Sequence, residues 1–111
     1  LRKAQAAGVK MLIGDDYGPK YGFFPNLWGD EMGMFLKEMQ FTPAQVLAMV
    51  TSNGSHFFGG ATGEIAAGKL ADLLVLSFDP LADGFDQFAT PATGILAVMK
   101  DGEFVKNRIA Y

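Results

Sequence analysis

The run Gly63-Glu64-Ile65-Ala66-Ala67-Gly68-Lys69-Leu70-Ala71-Asp72-Leu73-Leu74-Val75-Leu76-Ser77-Phe78-Asp79-Pro80-Leu81 decides the fold. Ahead of it, apolar residues recur at helical spacing; inside it, the period becomes that of strands. Gly63-Glu64-Ile65 reads as a short strand, Ala67-Gly68-Lys69 as a turn, and Leu73-Leu74-Val75-Leu76 as a strand that Asp79-Pro80 breaks. Downstream, Ile95–Lys100 and Glu103–Val105 flank Asp101-Gly102, a two-residue type I′ hairpin signal. The C-terminal half is therefore antiparallel β.

Upstream the signals are helical. Thr42 is a natural N-cap, with Pro43 at N1 and Gln45 at N3 to complete a capping box. Phe41 and Val46 are placed for a hydrophobic staple, and Val46, Leu47 and Val50 for the inward face. That helix loosens around Ser52-Asn53-Gly54, and a further turn through His56-Phe57-Phe58 ends at Gly59-Gly60. Before it, Met32, Phe35, Leu36 and Met39 fall at i, i+3, i+4 and i+7, one helical face, and Asp30 and Glu31 suit that helix's N-terminus. Met32, Met34 and Met39 read as adaptable core packing rather than a cofactor box.

The first residues, Leu1 to Gly8, read as the last turns of a helix closed by a C′ glycine. With no initial Met, this predicts the C-terminal piece of a longer protein. Val9–Ile13 follows, apolar on both faces apart from Lys10, as in a parallel strand covered on both sides. It runs into Gly14-Asp15-Asp16-Tyr17-Gly18, and Asp15 to Gly29 read as a loop with three glycines and two prolines. Two adjacent carboxylates at a strand end read either as a solvated turn or as a place where a cation is expected. The layout is α/β first, antiparallel β afterwards, with a division into 1–60 and 61–111.

Composition narrows the function classes. At 111 residues the chain is one domain's worth, and with half its residues apolar it is globular. A net charge of −3 and a pI near 4.9 argue against a nucleic-acid partner. No window approaches the roughly 20 apolar residues of a membrane span. Cysteine is absent, which removes disulfides and thiolate metal ligands. His56, the one histidine, sits beside two phenylalanines and reads as packed or at the solvent edge. Lys69 and Asp72 read as structural, pairing or capping within the hairpin region. Localisation is unknown from these residues.

The order "TPAQVLAMVTSNGSHFFG", "GEIAAGKLADLLVLSFDPL", "ILAVMKDGEFV" resembles the C-terminal signature of the amidohydrolase superfamily, nearest in kind to its imidazolonepropionase-like and prolidase-like members. Gly63 to Asp72 and Asp79-Pro80-Leu81 carry most of the likeness, because order and spacing both fit. The resemblance implies the last β/α segment of a (β/α)8 TIM-like barrel, with Val9–Ile13 as its eighth strand, followed by strands of a small composite β-sandwich. It implies a metal-dependent hydrolase of amide or cyclic-amide C–N bonds, acting on a small-molecule substrate. The chain's partner would be the missing N-terminal barrel portion, and oligomer formation stays open. Zinc is the first candidate among divalent metals, with iron or manganese as alternatives.

In that family the eighth strand ends Gly-x-Asp, and the Asp lies at the catalytic metal and handles the proton of the activated water. Asp16 takes that position, as catalytic and metal-approaching residue. Asp15, on the other side of an alternating strand, would bond backbone; the reverse assignment is the alternative. Many relatives carry a histidine in the following loop, where this chain has Tyr21 to Gly29 instead. That departure suggests an aromatic mouth in which Tyr17 and Trp28 contact substrate; packing in a lid is the competing reading of these aromatics and of Phe23 and Phe24. A different class remains beside the enzyme: a non-catalytic relative kept for binding or assembly.

Overall fold

The computed structural model describes residues 1–14 and 27–109. Helix α1 (Arg2–Ala6) ends in the expected glycine cap. Gly8 has φ 79°, its N–H donates to Gln5 O, and the Val9 N–H donates to Ala4 O. Both bonds together make a Schellman motif, which only a residue at ease with positive φ forms cheaply.

Helix α2 (Leu27–Lys37) turns Met32 and Phe35 into the core and lays Leu36 beside them, with Met39 packed there just past its end. Helix α3 (Pro43–Val50) carries the full capping box: the Gln45 N–H donates to Thr42 Oγ1, and the Thr42 N–H to Gln45 Oε1. Val46 and Met49 are its buried residues. Phe41 is buried in the same cluster as Val46, in keeping with a staple. At Thr51 the backbone leaves the helix, with φ −128° and ψ −96°, and α4 (Ser52–Phe57) sets off afresh.

Three strands form one antiparallel sheet in the order β1 (Leu73–Leu76), β2 (Ile95–Lys100), β3 (Glu103–Asn107). Leu73 pairs Met99, Val75 pairs Ala97, and Lys100 pairs Glu103. Asp101 and Gly102 both have positive φ, 51° and 85°, the two-residue I′ geometry the Asp-Gly pair predicts. Asp72 ties β1 to that turn. Its Oδ2 accepts from Lys100 Nζ at 2.5 Å, and its Oδ1 from the Asp101 N–H at 2.8 Å. The structural reading of Asp72 holds.

The link between β1 and β2 does not stay with the sheet. A 3-10 turn (Asp86–Ala89) and a short helix α5 (Pro91–Gly94) lie along it, and the turn packs on α2. Phe85, just before the turn, is buried among Ile13, Met32, Phe35, Phe41, Val46 and Met49. Gly29 permits the approach, since a Cβ there would sit 2.6 Å from Ala89 N. Two turns further along α2, Lys37 Nζ bonds both carboxylate oxygens of Asp86, at 2.8 and 2.9 Å.

Two segments expected as strands are not paired. Val9–Ile13 has no ladder partner among the described residues; a parallel strand exists by virtue of its neighbours, and the neighbours of an eighth barrel strand would come from elsewhere. Gly63–Ile65 is a bend instead. Gly63 has φ 78°, Lys69 Nζ donates to Gly60 O, and the Leu70 N–H donates to Ala61 O at 2.8 Å. These bonds close 60–70 as a loop.

Candidate functional site

The candidate site begins where Val9–Gly14 leaves the core. Met11 and Ile13 point toward the helices: Ile13 is buried in the cluster and Met11 packs against it. Lys10 is exposed and Leu12 half-buried, and Leu12 Cδ2 lies 3.9 Å from where a Cβ on Gly54 would stand. Met11 and Ile13 thus face the helical core, while Leu12 lies against the first turn of α4. Gly14 emerges exposed. The backbone is held from behind by Asn53, whose Nδ2 donates to Met11 O at 2.8 Å across 42 residues of sequence.

Asp15, Asp16, Tyr17, Phe23 and Phe24 lie outside the described residues. Trp28 occupies the first turn of α2. His56 is exposed in α4 and meets Phe57 edge-on, ring centroids 5.7 Å apart. That agrees with a solvent-edge histidine. Lys69 lies 3.6 Å from Glu64 as well as bonding Gly60 O, a loop-closing role.

Among the described residues, no three histidine, cysteine or acidic side chains are grouped so as to hold a metal ion. A shallow cleft of about 190 Å³ does run along α2, lined by Asp30, Gly33, Lys37, Glu38 and Asp86. Its one lysine is engaged by Asp86. Nothing there aligns a nucleophile with a base.

Sequence reasoning met Asn53 where the helix loosens and within the family-like stretch, but gave it no contact. Asparagine is also a poor interior helix former. What it bonds could not be read locally.

The motif residues, by contrast, have visible duties. Thr42 and Pro43 start α3. Thr51 Oγ1 donates to Leu47 O at 2.7 Å where α3 breaks, and Gly63 passes so close that a Cβ would lie 2.5 Å from Thr51 O. Asp79 Oδ1 accepts from the Leu81 N–H at 2.9 Å, an Asx turn.

Comparison with known proteins agrees with this arrangement. Residues 1–105 match the sequence pattern of the Amidohydrolase family. Curated proteins gave no match. Among solved structures, an amidohydrolase is 31% identical over 96% of this chain and 25% of its own, with a TM-score of 0.78. An ochratoxinase from A. niger is 26% identical over 96% of this chain and 23% of its own, TM-score 0.79. A prolidase complexed with N-methylphosphonate-L-proline is 28% identical over 93% of this chain and 24% of its own, TM-score 0.67. The chain thus spans about a quarter of the length of the structures it matches. Its architecture, an α/β segment with a small antiparallel sheet, is that of the tail of amidohydrolase barrel proteins. The chain belongs to the amidohydrolase family.

Proposed function

We propose that this chain supplies the end of the active site of a hydrolase that cleaves amide or cyclic-amide C–N bonds in a small molecule. The observation that carries the reading is the course of Val9–Gly14. Ile13 is seated among the helices and Gly14 emerges exposed, so the adjacent acids of the sequence begin where the segment leaves the core. Active sites of barrel enzymes lie at such strand ends.

The likeness of Gly14-Asp15-Asp16 to an eighth strand that ends Gly-x-Asp favours Asp16 over Asp15. Asp16 is the proposed catalytic carboxylate: it accepts the proton of the attacking water and returns it to the leaving amine. A divalent cation, zinc before iron or manganese, would lower that water's pKa toward about 7 when bound, and Asp16 is this chain's contribution to holding it. Tyr17 and Trp28 are proposed substrate contacts at the mouth. The division at residue 60 is proposed as the boundary between the barrel portion and the sandwich portion.

The test is replacement of Asp16 by Asn in the whole protein, beside Asp15→Asn. We expect kcat to fall by about 10² to 10⁴ for Asp16→Asn, with the melting temperature nearly unchanged and Asp15→Asn much milder. Undiminished turnover in Asp16→Asn would remove the assignment; the reverse order of the two variants would transfer it to Asp15.

A further inference from the structure

We infer that Asn53 is a positioning residue for the hydrolytic site: by clamping the Met11 carbonyl it fixes the register of the segment that delivers the acid pair. This rests on the proposal that the reacting carboxylate follows that segment. The geometry itself lies wholly within described residues.

A strand's side chains change face with every residue, so a slip of one position exchanges the roles of neighbouring side chains. That matters little where a single polar residue ends a strand. Here two carboxylates are neighbours in the sequence, and under the proposed function a slip would exchange Asp15 for Asp16. The side chains of Met11 and Ile13 resist rotation of the segment. They do not resist sliding as firmly, because Met is long and adaptable. The hydrogen bond from Asn53 Nδ2 to Met11 O, 2.8 Å long and partly buried, addresses one particular carbonyl and therefore one register.

The clamp is itself braced. Asn53 lies in the first turn of α4, directly after the backbone break at Thr51. The break is held by Thr51 Oγ1 on Leu47 O and closely overlaid by Gly63. Ser55, one turn from the break, is buried. The α3–α4 junction is thus pinned on one side by the loop at Gly63 and reaches across to Met11 on the other. A residue chosen for helix formation alone would be Ala or Leu at this place; Asn contributes through its donor.

The experiment uses the whole protein with Asn53→Ala and the near-isosteric Asn53→Asp. Two properties are read: amide hydrogen exchange of the peptide covering Val9–Gly14, and kcat and KM for C–N hydrolysis. We expect exchange in that peptide to accelerate about tenfold or more in both variants, and kcat to fall about 100-fold with KM little changed, as for a displaced catalytic group. Asn53→Asp carries an internal rescue. Its protonated carboxyl can donate to Met11 O and its ionised form cannot, so its protection and its kcat, relative to wild type, should recover as pH falls. Asn53→Ala should show no such recovery.

Unchanged exchange in Asn53→Ala overturns the inference, as does faster exchange with unaltered kcat. If wild-type protein hydrolyses no C–N bond, the proposed function fails while the exchange result still decides whether Asn53 holds the segment. If both Asn53 variants behave as expected but Asp16→Asn retains turnover, the positioning role stands and the Asp16 assignment falls.

Discussion

Asp72 shows how one side chain can join two distant parts of a sheet. Lys100 hydrogen-bonded to Oδ2, and then the Asp101 N–H on Oδ1, hold its carboxyl below the ordinary aspartate value of 3.8, against an opposing effect of desolvation. A carboxyl whose folded pKa is depressed contributes stability that is complete above its unfolded pKa and is lost as pH falls through the folded one. The stability difference between wild type and Asp72→Asn should therefore be constant above about pH 5 and shrink as acid titrates the group. Melting temperatures of both proteins between about pH 2 and 6 measure this. A difference that stays constant to the acid end would show that the ion pair contributes nothing through its charge.

At the scale of elements, the link between β1 and β2 matters most. It leaves the sheet, seats Phe85 in the helical core and returns through α5. Truncating a buried phenylalanine costs about 3–5 kcal/mol, so Phe85→Ala should lower the urea midpoint accordingly; a loss under about 1 kcal/mol would mean the link merely rests on the surface. None of this was legible beforehand. Residues 77–94 carry no helical or strand period, and the partners of Phe85 lie far away in sequence. The local devices were legible: the Thr42–Gln45 capping box, the Gly8 cap, the Asp101-Gly102 turn and the apolar face of α2. Each is settled by a few neighbouring residues. Gly63–Ile65 misled because the helical period ends before it, while the positive φ at Gly63 and the Lys69 bond to Gly60 bend it. For the candidate site, the preference for Asp16 rests on the Gly-x-Asp resemblance, whereas the contact of Asn53 with Met11 spans too much chain to be read locally.

For the whole molecule, the surface is informative. Phe58 is 82% exposed, Ile65 91% and Val105 68%, and among the described residues the outer strands β1 and β3 each pair on one side only. Such edges and apolar side chains favour association. We expect the 111-residue chain, purified alone, to elute well above its 11.9 kDa mass and to lack hydrolase activity. A monomer with a cooperative melt would contradict this.

The excursion of Phe85 into the helical core also bears on how the chain finds its fold. The β2–β3 hairpin closes through a two-residue turn and demands almost no search. Strand β1 pairs directly with β2, yet the chain between them must first order itself against α2. Closing such a loop costs entropy before any pairing repays it. We therefore expect β1 to join the sheet last, and refolding to slow when a phenylalanine that belongs to no strand is truncated.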